Sequence, residues 1–287
     1  MTKTLVRVGS ILSVRERAGS PLGMSVLLAA AMILAASSAL AAPGDGEVPA
    51  ARGGVATPAR AAGASSADAT AMNRSQLVEE LRRQGIVDSA VLAAIGRVPR
   101  HEFVPEGLRA EAYENHPLPI EEGQTISQPY IGAFMTEALK LKRTSNVLEI
   151  GTGSGYQAAV LADILGLSED AGAGPSGRLS SIETIPQLAE SSKKLLARLG
   201  YRADLRLGDG YRGWPEKGPF DAILVAAAPD HVPEALKEQL VVGGILVIPV
   251  GDENQQLTVI TRTEKGYREE TVLPVRFVPM TGEARRR

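Results

Sequence analysis

The sequence predicts an α/β fold, a doubly wound and mostly parallel Rossmann-like sheet preceded by an N-terminal helical cap. From residue 146 onward, short apolar runs alternate with segments of helical periodicity, and this order builds a parallel sheet. At one junction, Glu149-Ile-Gly-Thr-Gly-Ser-Gly155 places three glycines between a predicted strand and a predicted helix. Open sheets of this kind bind ligands beyond the carboxyl ends of their strands, so the loops there are where function is expected.

The helical cap, which also carries the predicted substrate segment, covers residues 72–145. Apolar residues at three- and four-residue steps indicate two short helices within residues 73–95, interrupted at Gly85. Ser127-Gln-Pro129 then predicts a third helix that runs to about Leu141, with Ser127 as its N-cap and proline in its first turn.

The core is predicted over residues 146–283. Gly243-Gly244 is expected to form a turn, and residues 167–177 form a glycine-rich surface loop. Strands are expected at residues 147–150, 179–182, 220–225, 245–250, 257–261 and 271–278, with a further short strand ending at 207, and helices at residues 156–165, 186–199 and 233–240.

The first seventy or so residues differ in composition from the core. Residues 1–41 have the layout of a secretory signal peptide: basic residues precede an alanine-rich apolar stretch that ends in Ala39-Leu40-Ala41. This stretch is too short to predict a membrane span, so no stable membrane association is expected. Residues 42–71 are rich in Ala, Gly, Pro and Ser and predict a disordered linker, and residues 284–287 predict a solvated basic tail.

The composition restricts the chemistry. The 287-residue chain has no cysteine, which excludes disulfides, thiolate metal ligands and a cysteine nucleophile. Its three histidines, His101, His116 and His231, lack metal-ligand spacing, so no metal is expected. The formal net charge of −2 shows no basic excess of the kind that binds phosphates, so no nucleic-acid partner is expected.

Acidic residues close to the ends of three successive strands predict a nucleoside site. Glu149 precedes the glycines and suits a cationic ligand, whereas Gly155 comes one residue too early for a dinucleotide-binding loop. Glu183 is placed to accept hydrogen bonds from ribose hydroxyls, and Asp209, between two glycines, to bind the amino edge of an adenine. Each acid alone has an ordinary explanation as a turn or surface residue. Their recurrence at one edge of the sheet predicts a ligand that contains ribose and adenine.

At this point the chain resembles the protein-L-isoaspartate O-methyltransferase family. The resemblance runs from about residue 72 to residue 282, and Gly-Gln-Thr-Ile-Ser-Gln-Pro-Tyr130, ahead of the glycine loop, is typical of this family. The segments that carry it are residues 118–130, 147–157, 219–229 and 243–251, with 98–104 and 275–280 as further signatures.

The resemblance implies a Rossmann-like methyltransferase core that binds S-adenosyl-L-methionine. It makes Ser127 the catalytic residue and places Gln124, Thr125 and Ile126 in the same substrate-pocket wall. The cofactor-binding residues that it implies are Glu149, Gly151, Gly153, Gly155, Glu183, Asp209, Gly210 and Thr281.

The implied activity is methyl transfer to the free α-carboxylate of isoaspartyl residues in damaged proteins and peptides. The ester then collapses to a succinimide, which hydrolyses partly to normal aspartate. Two alternatives stay open: a methyltransferase for a small-molecule carboxylate, and a secreted binding module without catalysis. The resemblance also implies a cytoplasmic location, and a monomer is expected. Met72, which opens the first segment of helical periodicity, is an alternative start of translation, whereas the signal-like segment predicts export to the periplasm or beyond.

Overall fold

The computed structural model describes residues 66–285. The signal-like segment 1–41, residues 42–65 of the predicted linker and the last two residues of the basic tail lie outside this described part of the chain.

Two helices open the described chain, as the apolar periodicity predicts. They are α1 (Ser66–Arg83) and α2 (Ser89–Arg97). Gly85 separates them with a φ of 100°, a left-handed conformation that glycine adopts without steric cost. The side chain of Asp88 caps α2 by accepting from the main-chain N–H groups of Ala90 and Val91.

The start of α1 corrects the predicted boundary of the linker. The helix begins at Ser66, so residues 66–71 are helical although the sequence places them in the linker. Three of these six residues are alanine, the strongest helix former, and they extend a helix that buries Leu77 and Leu81 farther along.

Seven strands form one sheet, which confirms the mostly parallel α/β prediction. The strands are β3 (Asn146–Ile150), β4 (Arg178–Glu183), β5 (Asp204–Leu207), β6 (Phe220–Val225), β7 (Leu240–Val250), β8 (Gln256–Thr263) and β9 (Gly266–Pro274). A small separate hairpin, β1 (Leu118–Pro119) and β2 (Thr125–Ile126), precedes them. The remaining helices are α3 (Pro129–Ala138), α4 (Tyr156–Ile164), α5 (Pro186–Arg198) and α6 (Glu234–Glu238).

The strand order is β5-β4-β3-β6-β7-β8-β9. All pairs from β5 to β7 are parallel, and β8 and β9 add two antiparallel strands at one edge. The chain winds from β3 outward through β4 to β5 and then returns to place β6 on the other side of β3. The crevice between β3 and β6 is therefore the topological switch point, where sheets of this type bind ligands.

Both faces of the sheet are covered. Val147 and Leu148 are adjacent in β3, yet they belong to two separate buried clusters, because successive side chains of a strand point to opposite faces. The first cluster includes apolar residues of α1 to α5, and the second includes Leu236 of α6 and Ala284. Burial on both faces explains why the parallel strands are apolar runs without polar alternation.

Two details of the predicted core and one of the predicted tail are wrong. Gly243-Gly244 is not a turn but lies inside β7, where the pairing with β6 is irregular and Gly243 has a φ of 86°. The last strand ends at Pro274, not at residue 278, because the following segment leaves the sheet. Ala284, assigned to the solvated tail, is buried in a 3-10 turn at Gly282–Arg285.

Candidate active site

A cavity of about 410 Å³ lies at the carboxyl ends of β3, β4 and β6. The glycine loop after β3 and Glu183 at the end of β4 line one part of it. Residues 123–129, which lead from β2 into α3, line another part. Of the residues predicted from sequence, the cavity is lined by Gln124, Thr125, Ile126, Ser127, Gly151, Gly153, Glu183, Gly210 and Thr281.

The glycine loop leaves room for a ligand because of its backbone conformation. Gly151, Gly153 and Gly155 all have positive φ, at 92°, 54° and 92°. Gly155 does not line the cavity: a Cβ atom there would lie 3.3 Å from Leu196 and Ser192 of α5. The first two glycines therefore border the ligand space, whereas the third permits close packing of α5 on the start of α4.

Glu183 fixes the glycine loop to the end of β4. Its Oε2 accepts from the N–H of Gly153 at 2.8 Å, and its Oε1 accepts from Thr184 at 2.8 Å and Ile185 at 3.0 Å. The side chain is buried but lines the cavity. Since a carboxylate oxygen can accept two hydrogen bonds, Oε2 retains the capacity to accept one from a ligand hydroxyl.

Glu149 lies beneath the glycine loop and does not line the cavity. It is fully buried, and its Oε2 accepts from the Ser181 hydroxyl at 2.6 Å, while Oε1 has no partner among the described residues. The Ser181 hydroxyl is also hydrogen-bonded to Thr152, at 2.6 Å. The pKa of Glu149 is raised to about 8, chiefly by burial, with a smaller contribution from the nearby charge of Glu183 and an opposing one from the Ser181 hydrogen bond.

Asp209 also stands behind the cavity, with both oxygens bonded to main chain. Oδ1 accepts from Tyr211 at 2.9 Å and Oδ2 from Glu283 at 2.8 Å. The neighbours Gly208 and Gly210 line the cavity instead. The structure thus shows Asp209 tying the chain end to the loop after β5, and its predicted bond to adenine stays a prediction.

The predicted N-cap of α3 is wrong. The helix begins at Pro129 with Gln128 as its N-cap, because the residue before a proline is driven into the extended region. Neither residue supplies a capping side chain; Asn115 does, accepting from the N–H of Tyr130 at 3.0 Å through its Oδ1. Within residues 66–285 the hydroxyl of Ser127 forms no hydrogen bond, so it is available to a ligand.

A buried guanidinium holds the Ser127 segment, which sequence reasoning did not anticipate. Arg100 donates to the main-chain carbonyls of Ala112 at 2.9 Å and Ser127 at 2.8 Å, and its Cζ lies 4.7 Å from the ring centroid of Tyr156. Its Nη1 and the Tyr156 hydroxyl are buried without a hydrogen-bond partner in the described chain. Burial lowers the pKa of Arg100 and raises that of Tyr156. Arg100 lies within residues 98–104, one of the segments that resemble the family, and this was the feature of the sequence from which its role could have been predicted.

The segment that follows β9 completes the cavity from the far end of the chain. Ala228 donates to the Val278 carbonyl at 2.8 Å and accepts from the N–H of Met280 at 2.7 Å. This bridge brings residues 278–281, including the predicted Thr281, to the loop after β6.

Two features are absent from the described part of the chain, a metal-ligand cluster and a membrane-spanning helix. Across residues 66–285 no cluster of histidine and acidic side chains could hold a metal ion. Over the same residues, no helix combines the length and apolar character needed to cross a bilayer.

The amino-acid sequence of this chain is similar to those of a family of known enzymes. Residues 72–285 match the model of the protein-L-isoaspartate(D-aspartate) O-methyltransferase family. The chain is 50% identical over 208 residues to the protein-L-isoaspartate O-methyltransferase of Gloeobacter violaceus, covering 71% of this chain and 96% of that one. It is 53% identical over 217 residues to protein-L-isoaspartate O-methyltransferase 2 of Marinobacter nauticus, covering 74% and 92%.

Solved structures agree with the sequence matches. A structure named protein-L-isoaspartate O-methyltransferase is similar with a TM-score of 0.66 and 30% identity, over 74% of this chain and 67% of that one. A Plasmodium falciparum protein assigned the same activity, solved with S-adenosyl-L-homocysteine, has a TM-score of 0.64 and 27% identity, over 73% of this chain and 98% of that one.

Proposed function

Because the chain belongs to the protein-L-isoaspartate(D-aspartate) O-methyltransferase family, we propose that the cavity at the switch point holds cofactor and substrate side by side. The activity is transfer of a methyl group from S-adenosyl-L-methionine to the free α-carboxylate of L-isoaspartyl residues, a step in protein repair. The observation that carries the proposal is that one cavity is lined by both the glycine loop and Ser127.

The glycine-loop part of the cavity fits S-adenosyl-L-methionine. Gly151 and Gly153 leave their side of the cavity free of side chains, and Glu183 has an acceptor position left for a ribose hydroxyl. Gly210 and Thr281 line the same space. When bound, this cofactor supplies a methyl group activated by a sulfonium charge. We assign Glu149, Gly155 and Asp209 to shaping this part of the site from behind.

The Ser127 part of the cavity suits the substrate carboxylate. An isoaspartyl α-carboxylate is ionised at neutral pH, so no general base is needed to make it a nucleophile. The task left to Ser127 is to orient that carboxylate. Its hydroxyl has no other partner among the described residues and can donate a hydrogen bond to one carboxylate oxygen. Gln124, Thr125 and Ile126 form the adjoining wall. Alignment in a cavity shielded from water lowers the barrier as the anion and the sulfonium neutralise one another.

A pair of peptides that differ in one linkage tests the proposal. One contains L-isoaspartate and its twin contains L-aspartate, and methyl transfer to each is followed with labelled S-adenosyl-L-methionine. We expect transfer to the isoaspartyl peptide alone. Transfer to neither peptide, with S-adenosyl-L-homocysteine still bound in calorimetry, would instead favour a small-molecule carboxylate. Failure of both measurements would favour the non-catalytic module.

We also propose a monomer that acts in the cytoplasm on proteins and peptides and binds no nucleic acid. S-adenosyl-L-methionine is a cytosolic metabolite, which supports the cytoplasm, and the net charge of −2 supports the absence of nucleic acid. The signal-like segment supports export. Mass spectrometry of the native protein distinguishes the cytoplasmic location from export. An N-terminus at Ala42 means export, and one at Met72 means a cytoplasmic enzyme. Sedimentation analysis tests the monomer.

A further inference from the structure

A second cavity, of about 320 Å³, opens beside the Ser127 part of the first. We call it the flanking cavity. The residues that line both cavities are Thr125, Ser127, Gln128, Ala226 and Val278. On its other side it is lined by residues 274–277, the segment that leaves the sheet after β9. A peptide whose isoaspartyl carboxylate meets Ser127 can therefore place an adjacent residue in the flanking cavity.

The lining of the flanking cavity carries one charge. Apart from Arg276, the described residues that line it are apolar or neutral, among them Pro117, Ile131 and Phe277. Arg276 is exposed, and its guanidinium has no ion pair or hydrogen bond within the described chain. This cation is therefore not committed to a structural ion pair.

Arg276 is held in place from both sides. The main-chain N–H of Val275 donates to the main-chain carbonyl of Gln255 at 3.1 Å. The main-chain N–H of Phe277 donates to the side-chain Oε1 of Gln255 at 2.6 Å. The Gln255 Nε2 donates in return to the Phe277 carbonyl at 3.0 Å. Gln255 is buried and directly precedes β8, so the main chain that carries Arg276 is fixed to the edge of the sheet.

We propose that Arg276 selects among isoaspartyl sites by the charge of the residue next to the isoaspartate, favouring an acidic neighbour and disfavouring a basic one. The proposal rests on the proposed function, since it takes the isoaspartyl carboxylate to lie at Ser127. The Cα atom of the residue before the isoaspartate lies about 3.8 Å from the isoaspartyl Cα, and the residue after it is one methylene farther away. Since Ser127 and Arg276 line the same cavity, the side chain of a neighbouring residue comes within reach of this cation. A like charge at this place is repelled, and both effects weaken as salt screens them.

Matched peptides test the selection. The residue before the isoaspartate is set to Glu, Gln or Lys in one series, and the residue after it in a second series. The measurement is kcat/KM for each peptide at low and high ionic strength. For the wild-type protein we expect the Glu peptide to exceed the Lys peptide by roughly three- to twentyfold in at least one series, as exposed charge pairs allow. High salt should reduce this ratio.

Variants assign the selection to Arg276. The Glu-to-Lys ratio should fall to about one in Arg276→Gln, invert in Arg276→Glu and persist in Arg276→Lys. Arg202→Gln is the control: it removes the same charge from an exposed residue just before β5, at the amino ends of the parallel strands, away from the site. Affinity for S-adenosyl-L-homocysteine shows that each variant keeps an intact cofactor site.

The outcomes separate this proposal from the function on which it rests. Equal kcat/KM for the Glu, Gln and Lys peptides in both series would overturn the selection and leave the methyltransferase assignment intact. If Arg276→Gln lowered kcat/KM equally for all peptides and left the Glu-to-Lys ratio unchanged, the selection would also be overturned. That result would point to a contact between Arg276 and the isoaspartyl carboxylate itself. No transfer to any isoaspartyl peptide would overturn the proposed function.

Discussion

The guanidinium of Arg100 donates a hydrogen bond of 2.8 Å to the main-chain carbonyl of Ser127. Arg100 is 1% exposed and also holds the Ala112 carbonyl, so one buried side chain joins the middle of the helical cap to the predicted catalytic residue. No carboxylate of the described residues forms an ion pair with it. Arg100 is therefore a positioning residue, which acts on the substrate through the Ser127 segment.

Arg100→Lys tests this positioning role while keeping the charge. A lysine ammonium lacks the planar fork that holds two carbonyls at once, so the Ser127 segment loses its fixed position. We expect kcat/KM for an isoaspartyl peptide to fall roughly tenfold, mainly through KM, with affinity for S-adenosyl-L-homocysteine within about twofold of wild type. Arg109→Lys, at an exposed position nearby, serves as the control. Equal losses of peptide and cofactor binding would indicate a general structural defect instead.

Helix capping and orientation of the substrate were both predicted for Ser127, but in the structure Asn115 does the capping. Ser127→Ala should lower kcat/KM by roughly ten- to a hundredfold with little change in the free energy of unfolding, because its hydroxyl caps no helix. Asn115→Ala removes the group that accepts from the Tyr130 N–H and should cost about 0.5–2 kcal/mol of stability. Urea unfolding and peptide kinetics on both variants check this. A strongly destabilised Ser127→Ala protein would restore the capping interpretation.

Glu183→Gln probes the ribose position. The carboxylate accepts from three main-chain N–H groups, and an amide nitrogen cannot replace an accepting oxygen. We expect affinity for S-adenosyl-L-homocysteine to fall roughly ten- to a hundredfold, measured by calorimetry. Glu190→Gln, on the exposed side of α5, removes the same charge and should leave this affinity unchanged. Equal affinities in both variants would remove Glu183 from the site.

The buried carboxyl of Glu149 predicts a pH dependence of stability. Its pKa is raised from 4.5 to about 8, so the folded protein binds this proton more tightly than the unfolded chain does. The free energy of unfolding should therefore fall as pH rises from about 4.5 to 8. Ionisation of Glu149 should account for a decrease on the order of a few kcal/mol. Glu149→Gln keeps a neutral side chain at every pH and should remove that part of the slope.

Urea unfolding at pH 5.5, well below the raised pKa, and at pH 8.5, above it, measures the effect. The two proteins should be similar in stability at the lower pH, where the wild-type carboxyl is protonated. At the higher pH the Glu149→Gln protein should be the more stable. The same slope in both proteins would show that Glu149 ionises normally in the folded state.

Much of the fold could be predicted because local patterns carry it. The alternation of strands and helices predicts the mostly parallel sheet, and the three glycines after Glu149 predict the loop between a strand and a helix that the structure shows. The ends of elements were less predictable. Gly243-Gly244 suggests a turn by composition, yet β6 pairs on both sides of it and keeps these residues in β7. Such pairing depends on a partner that no local pattern specifies.

The sequence by itself determined the alternation of strands and helices that builds the sheet and the identity of most residues around the cavity, because strand periodicity, glycines and acidic side chains act over short stretches of chain. Only the tertiary structure decided which of those residues face the cavity. Glu149 and Asp209 turn to main-chain and hydroxyl partners behind it, and Ser127 leaves helix capping to Asn115. The physical reason is that a buried polar atom must find a partner, and those partners come from segments far apart in the chain.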